Sequence, residues 1–437
     1  MNKLQLFLPC AAGVEDYLSL EVQRITGLPL AEVLKQRGGV ALRSSWRDVL
    51  LLNLHSRLAQ RVLVLLSFTE YRNEQDLYRA ASEVAWEAWF TPRQSIKVEV
   101  TAQHSPLTSL NFAALKIKDA VCDRFRVKAG GVRPDVNTQW PDVRIYAHLT
   151  TDSCSLYIDT SGEALFKRGW RQDKGEAPLK ETLAAAMLAA SGWMDGDGDL
   201  LPLYDPCCGS GTIAIEAAQM ACNIAPGSLR AFAFEKYLPY QAHVWDAIKS
   251  EARAAEVKRE AGQQPIIFGS DVAHRMVDFA QRNAERAGVA DVIEFRGGDA
   301  LQRMPPCPKP GILLLNPPYG ERIEVAGVAG VSHRGGREQA QLPDCGEFFN
   351  QLSSHWKKNY TGWSAWVLSP DLKLPGKMRL KESRRVPLWN GPIECRLFRF
   401  DLVAGTMRPE KLGSDEPTKS RSDHRPEKLG SDHRRRS

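Results

Sequence analysis

The chain has 437 residues, of which 43% are hydrophobic and 25% charged, enough for about three globular domains with sizeable cores. A formal net charge of +6 is compatible with a polyanionic partner but does not by itself indicate one. The nine cysteines lack zinc-site and disulfide-framework spacing, and no window has eighteen uninterrupted apolar residues. We therefore expect a cytoplasmic protein with no metal and no membrane partner.

Two groups of short strands and helices are predicted in the first 163 residues. Residues 1–65 form one small α+β unit, and residues 66–163 form a second in the order helix, strand, helix, strand, strand. The first helix of this second unit is predicted over residues 73–90. Its second helix, at residues 112–127, carries several lysines and arginines that could face a phosphate backbone. For this helix alone, a solvated surface is the interpretation that we favour.

A cluster of cations and aromatic rings follows at residues 166–171, FKRGWR. Such a cluster can contact phosphates and stack on a base. The predicted RNA-binding residues are therefore Lys167, Arg168, Trp170 and Arg171. A linker between domains that packs its aromatic side chains inward has a similar sequence. Both interpretations stay open at this point.

Repeated strand–helix units occupy the segment up to residue 404. A helix predicted over residues 177–191 is followed by an apolar strand, a glycine turn and a further helix within residues 200–218. The units end in two strands around Asn390-Gly391, a dipeptide typical of hairpins. This order predicts a doubly wound α/β sheet with a terminal antiparallel hairpin. Residues 405–437 contain two copies of RPEKLGSD and are predicted to be a disordered basic tail.

Polar residues stand where four successive strands of this sheet end. They are Asp205 with its glycine turn, then Asp271, Asp299 and Asn316. In a doubly wound sheet these ends converge on one crevice. Glycine amides, an acid suited to ribose hydroxyls and an acid suited to an adenine amine fit S-adenosylmethionine (SAM). The glycines are not followed by Gly-Lys-Ser/Thr, which argues against a P-loop ATPase.

The fourth strand end has the sequence Asn316-Pro317-Pro318-Tyr319. Two prolines stop the strand and make a rigid loop. The Asn316 side-chain oxygen and the Pro317 carbonyl can both accept hydrogen bonds from one exocyclic NH2, while Tyr319 stacks on the ring that bears it. These residue types predict a site for a nucleobase amine. The alternative is a Pro-Pro turn after a core strand, with Tyr319 packed inside.

The segments LFKRGWR, APLKETLAAAML, DPCCGSGT and NPPYGER together resemble a known family. They are similar to THUMP-domain class I SAM-dependent RNA guanine-N2 methyltransferases, above all the RlmL-type group that acts on 23S rRNA. The resemblance covers roughly residues 1–404. It implies a ferredoxin-like domain over residues 1–65, an RNA-binding THUMP domain over 66–163 and a Rossmann-like methyltransferase domain over 164–404, with 23S rRNA as partner.

The resemblance also assigns roles to residues of the crevice. Asp271 would hold the ribose of the cofactor and Asp299 its adenine, while residues 316–319 would hold the target base. The residues assigned to the methionine end are Lys180, Glu181, Thr182, Asp205, Gly209 and Gly211. Residues 324–342 form a longer segment than the family leads us to expect, either a mobile lid on RNA or a tolerated insertion.

Three other functions remain open from the sequence. The Asn-Pro-Pro-Tyr loop alone does not separate guanine from adenine, so N6-adenine methylation is one alternative. Guanine-N2 methylation of tRNA is another. A non-catalytic RNA-binding assembly factor belongs to a different class, and the intact acids at the strand ends argue against it. The THUMP-like half favours RNA over DNA.

Overall fold

Two seven-stranded β-sheets carry the fold. The computed structural model describes residues 3–175, 178–194, 200–258, 265–317 and 345–403. The first sheet lies in the N-terminal region and the second in the region that follows it. The predicted tail and the segment 324–342 lie outside the described residues.

The first sheet has the strand order β2-β3-β1-β4-β7-β6-β5, in which only the β5–β6 pair is parallel. The elements of this region are, in chain order, β1 (Leu4–Pro9), α1 (Glu15–Thr26), β2 (Leu34–Gln36), β3 (Gly39–Ser44), α2 (Trp46–His55), β4 (Leu63–Glu70), α3 (Glu74–Glu83), β5 (Ile96–Ala102), α4 (Leu110–Lys128), β6 (Val143–Leu149) and β7 (Ser153–Asp159). Along β6, buried side chains alternate with half-buried ones, as expected for a sheet with one covered face.

Strand β4 pairs with β1 on one side and with β7 on the other. The predicted domain boundary between residues 65 and 66 falls inside this strand. One continuous sheet therefore serves both N-terminal units. Their bounds of 1–65 and 66–163 stay a prediction.

Helix α3 is shorter than the sequence suggests. We expected a helix over residues 73–90, but α3 ends at Glu83 and Val84 is extended. Trp86 then begins a separate helical turn and is fully buried, and its indole N–H donates to the carbonyl of Ala81 at 2.7 Å. The chain thus leaves the helical conformation at Val84 and buries this large ring, although helix propensity alone would continue the helix.

The second sheet has the strand order β10-β9-β8-β11-β12-β14-β13. Its first five strands are parallel, and the last two are joined antiparallel, which confirms the predicted fold class. The elements of this region are, in chain order, α5 (Glu181–Ser191), β8 (Leu203–Asp205), α6 (Thr212–Ala221), α7 (Ala242–Ala254), β9 (Ile267–Asp271), α8 (His274–Arg286), β10 (Ile293–Gly297), β11 (Ile312–Leu315), α9 (Cys345–Asn359), β12 (Ser364–Ser369), α10 (Leu374–Met378), β13 (Arg384–Asn390) and β14 (Ile393–Asp401).

The strand order of the second sheet reverses between β8 and β11. Chain order runs from β8 towards β9 and β10 on one side, and from β11 towards β12 on the other. Such a reversal opens a crevice at the carboxyl ends of the two central strands, where doubly wound sheets bind their ligands. Strand β8 ends at Asp205, and β11 ends just before Asn316. The fold thus brings two of the predicted strand-end residues to one crevice.

A buried ion-pair cluster joins the N-terminal region to the second sheet. Glu216 on α6 is fully buried and accepts from Nε of Arg168 at 3.0 Å and from Nη1 of Arg57 at 3.3 Å. Arg168 also donates to the backbone carbonyl of Arg57 at 2.7 Å. Removing one member of a buried pair leaves an uncompensated charge and typically costs about 3–5 kcal/mol. The cluster therefore fixes the segment of residues 166–175, called the linker below, against both regions.

Candidate active site

The glycine turn between β8 and α6 forms one wall of the crevice. Gly209 and Gly211 both have positive φ angles, 52° and 85°, which glycine adopts without strain. A Cβ at Gly211 would lie 2.9 Å from that of Ala280 on α8, so this glycine is required for packing. A Cβ at Gly209 would meet nothing within 4 Å. A ligand can therefore approach the backbone at Gly209.

Asp271, at the end of β9, organises the same turn. Its carboxylate accepts from the backbone N–H of Gly209 and from that of Ala273, each at 3.0 Å. A carboxylate has about four acceptor positions, so each oxygen keeps capacity for a ligand hydroxyl. Burial raises the pKa of Asp271 even though both amide donors favour the charged form.

Asp205 is almost fully buried at the end of β8. Burial is the main cause that raises the pKa of Asp205 to about 8, and the negative charge of Asp271 adds to it. The Cys207 amide, which donates to Asp205 at 3.1 Å, opposes this shift. Within the described part of the chain, no lysine or arginine forms an ion pair with Asp205 or Asp271. A positively charged ligand beside these two acids would lower their raised pKa values and favour their charged forms.

Asp299 lies beyond the end of β10. One of its carboxylate oxygens accepts from the backbone N–H of Leu301 at 2.9 Å, which shapes the turn that follows. The sheet places β10 at the edge beyond β9. The three acids Asp205, Asp271 and Asp299 therefore follow three neighbouring strands, β8, β9 and β10.

Asn316 occupies the other side of the crevice, at the end of β11. The Oδ1 atom of Asn316 is buried and has no hydrogen-bond partner among the residues that the structure describes. Leaving such an atom unpaired typically costs about 1–3 kcal/mol. Pro317 is buried beside it, while Pro318 and Tyr319 lie outside the described residues. An unpaired, buried acceptor at this position suits an incoming hydrogen-bond donor.

The start of α5 lies against the glycine turn through an arginine. Arg171 donates from Nε to Glu181 at 2.7 Å and from Nη1 to Ser210 Oγ at 2.9 Å. Burial raises the pKa of Glu181, and Arg171 opposes that shift. The Lys180 ammonium lies over the Phe166 ring at 5.3 Å, and Thr182 is buried. Of these predicted methionine-end residues, only Glu181 is linked to the turn by these contacts.

The predicted RNA-binding cluster is largely wrong. Arg168 and Trp170 are each only 1% exposed, so neither reaches solvent to contact RNA. Arg168 pairs with Glu216, and Arg171 faces the glycine turn. Only Lys167 is exposed, where it pairs with Glu163 at 2.6 Å. The alternative of an inward-packing linker describes this segment correctly, because buried acids supply partners for its arginines.

Sequence reasoning also missed Asn283 on α8. This side chain is fully buried, and its Nδ2 donates to the carbonyls of Asp173 at 2.8 Å and Ser210 at 3.1 Å. It thus ties the linker to the glycine turn. The available signal was a lone asparagine in line with the inward-facing alanines of an amphipathic helix, Ala280 and Ala284.

Within the part of the chain that the structure describes, no cluster of three or more histidine, cysteine, aspartate or glutamate side chains could hold a metal ion. None of its helices combines the length and the apolar character needed to cross a bilayer.

Solved structures share this fold across most of the chain. The crystal structure of SMU.472 complexed with SAH has a TM-score of 0.77 and 27% identity, covering 92% of this chain and 98% of that one. A structure from Listeria monocytogenes, described as a predicted N6-adenine-specific DNA methylase, has a TM-score of 0.76 and 27% identity, covering 91% and 96%.

Sequence relatives point to one family. "Ribosomal RNA large subunit methyltransferase K/L" of Psychromonas ingrahamii is 35% identical over 401 residues, which is 91% of this chain but 50% of the relative. The chain thus spans about half the length of such relatives. Residues 5–63 match the RlmL ferredoxin-like domain, and residues 71–159 match the THUMP domain. Residues 168–399 match the RMKL-like methyltransferase domain, and the chain belongs to this methyltransferase family, as its resemblance predicts.

Proposed function

We propose that the chain transfers a methyl group from SAM to the exocyclic N2 amine of a guanosine in 23S rRNA. The observation that carries this proposal is the buried, unpaired Oδ1 of Asn316 at the end of β11. An NH2 group is the donor that this acceptor lacks, and it is the group that the family's chemistry would methylate.

The cofactor half of the crevice supports SAM. A cationic ligand beside Asp205 and Asp271 would oppose the effect of burial on their pKa values and favour the charged form of both acids, and Gly209 leaves room for close approach. Asp271 keeps acceptor capacity for ribose hydroxyls. SMU.472, which shares the fold at 27% identity, was crystallised with SAH. The assignment of Asp299 to the adenine rests on its position after β10 and on the family resemblance.

The substrate assignment rests on the relatives and on the N-terminal domains. The K/L relatives carry rRNA in their name, and the match covers 91% of this chain. Since the chain spans about half of their length, their activity enters here as a proposal. The THUMP match over residues 71–159 supports an RNA substrate rather than DNA. The exposed Lys167 is the one member of the linker cluster retained as a candidate RNA contact.

Asn316 and Pro317 would act on the target amine by position. The Asn316 oxygen and the Pro317 carbonyl accept the two amine hydrogens, so that the nitrogen lone pair is directed out of the ring plane. When bound, SAM supplies a methyl group on a sulfonium leaving group. The target nitrogen would accept that methyl group and would afterwards release one proton to solvent. Positioning supplies most of the rate enhancement, because no strong base is needed before transfer.

The test is transfer of labelled methyl from SAM to unmodified 23S rRNA and, separately, to total tRNA, followed by mass spectrometry of the nucleosides. We expect N2-methylguanosine in 23S rRNA alone. N2-methylguanosine only in tRNA would keep the chemistry and overturn the substrate. N6-methyladenosine would keep the fold and overturn guanine as the target base. No transfer and no SAM binding would leave a non-catalytic RNA-binding protein.

A further inference from the structure

Arg171 makes an unusually complete set of hydrogen bonds beside the glycine turn. Besides Glu181 and Ser210, its Nη2 donates to Thr212 Oγ1 at 2.7 Å and to the carbonyl of Leu179 at 3.2 Å. These four bonds use four of the five guanidinium N–H groups. Trp170 lies against the guanidinium, with the Arg171 Cζ atom 5.0 Å from the ring centroid. Little donor capacity remains for any ligand.

The acceptors of Arg171 come from two separate elements. Leu179 and Glu181 lie at the start of α5, whereas Ser210 and Thr212 flank Gly211 at the start of α6. Only a side chain that reaches both can hold α5 and the turn at a fixed separation. The planar guanidinium does so because its donors are arranged as a rigid fork.

The glycine turn is held from its other side as well. The carbonyl of Ser210 accepts from Nδ2 of Asn283, and the amide of Gly209 donates to Asp271. Arg171 binds the hydroxyl of Ser210, so the side chain and the backbone of this one residue are both fixed. Glycines in the left-handed region have wide conformational freedom, and these contacts restrict it.

We infer that Arg171 is a positioning residue, which fixes the glycine turn in the conformation that receives the methionine end of SAM. It acts from inside the protein and contacts neither the RNA nor the cofactor. This inference rests on the proposed function and assigns a role in it to a residue of the linker. Its neighbour Arg168 differs, because it pairs with Glu216 and, within the described part of the chain, donates no hydrogen bond to the turn.

The test compares Arg171→Lys with the wild-type chain by calorimetric titration of SAM. Lysine can keep the ion pair with Glu181, but a single ammonium cannot also reach Ser210, Thr212 and the Leu179 carbonyl. We expect SAM affinity to fall by about tenfold or more, as follows from losing hydrogen bonds to a charged donor. In methyl transfer, KM for SAM should rise while KM for RNA stays unchanged.

The matched control is Arg282→Ala. Arg282 is an exposed arginine that binds Asp173 in the same linker at 2.9 Å. Among the residues that the structure describes, it donates no hydrogen bond to the turn. We expect its SAM affinity to stay within about twofold of wild type, since an exposed ion pair contributes little. A melting temperature measured for each variant separates loss of folding from loss of affinity.

If Arg171→Lys does not fold, the double variant Ser210→Ala/Thr212→Val is the second test. It removes the two hydroxyl acceptors on the side of the glycine turn and keeps the bonds of Arg171 to Glu181 and to the Leu179 carbonyl. It should lose SAM affinity in the same way. A folded variant of either kind that binds SAM like wild type overturns the inference. An equal loss in Arg282→Ala overturns it too. A wild-type chain that binds no SAM overturns the proposed function instead, so the two failures are distinguishable.

Discussion

The two sides of the crevice differ in how completely the protein satisfies their polar groups. On the side of the glycine turn, both oxygens of Asp271 accept amide N–H groups, and Ser210 is held by Arg171 and Asn283. On the side of β11, the buried Oδ1 of Asn316 has no partner within the described residues. The first side is organised before any ligand arrives, and the second lacks its donor.

This difference suits the two ligands proposed for the crevice. A cofactor that is bound in every cycle benefits from a wall that needs no rearrangement, since preorganisation lowers the cost of binding. A target base must leave its stack in RNA, which costs a few kcal/mol. An unpaired acceptor inside the protein offers part of that energy when the amine arrives. Substitutions on the two sides should therefore affect different steps.

The largest effect is expected from Asn316→Ala. Removing one precisely placed hydrogen-bond partner of a reacting group typically lowers kcat by about 10²–10³-fold. SAM affinity should be unchanged, because Asn316 lies on the other side of the crevice. Single-turnover methyl transfer and calorimetry measure the two quantities. Asn359→Ala, at the end of α9, is the matched control. Near wild-type transfer by Asn316→Ala would contradict the proposed role.

Asp271→Asn should have the next largest effect, on the cofactor side. Gly209 and Ala273 donate to different oxygens of Asp271. Asparagine replaces one of these oxygens with NH2, which would face a backbone N–H donor instead of accepting from it. We expect SAM affinity to fall by about 10–100-fold, the equivalent of one or two charged hydrogen bonds. Calorimetry checks this, with the exposed Asp278→Asn as control. Intact binding by Asp271→Asn would show that the turn does not depend on this acid.

The last prediction concerns the pH dependence of stability and Asp205. Its pKa is about 8 in the folded chain against an ordinary value of 3.8, so the native state keeps a proton that the unfolded chain has released. In the absence of ligand, the free energy of unfolding should therefore fall as pH rises from about 4 to about 8. Asp205→Asn removes this contribution and should flatten the fall in Tm between about pH 6 and pH 8. For a chain of this length, each kcal/mol recovered raises Tm by roughly 1 °C.

Calorimetric scans of the wild type and of Asp205→Asn at several pH values measure that difference. Other buried acids contribute to both chains, so only the difference between the two slopes reports on Asp205. Identical slopes would mean that Asp205 is charged throughout this range. Asp205 would then need no cationic ligand in order to ionise.

The crevice was predictable from sequence because its polar residues follow apolar strands directly. Asp205, Asp271 and Asn316 each end a run of buried side chains, and a doubly wound sheet brings such ends together. The glycine turn was predictable for the same local reason. The fold class followed from the alternation of strands and helices.

The direction of the linker arginines was not predictable in the same way. A cluster of cations and aromatic rings has the same kind of sequence whether its side chains face solvent or the protein interior. What decides is the partner, and Glu216 lies 48 positions from Arg168 along the chain, in a helix whose other residues gave no hint of a buried charge. The unpaired state of Asn316 Oδ1 is likewise a property of packing, which no local pattern reveals.

Strand β4 has a consequence for protein engineering. It pairs with β1 of the ferredoxin-like segment and with β7 of the THUMP segment, so the two share a backbone ladder rather than a flexible joint. A chimera that exchanges one segment between relatives would leave half of a ladder without its partner if it were spliced within β4. Exchange of the two segments together, with the splice placed after β7, keeps every strand pair of the first sheet intact.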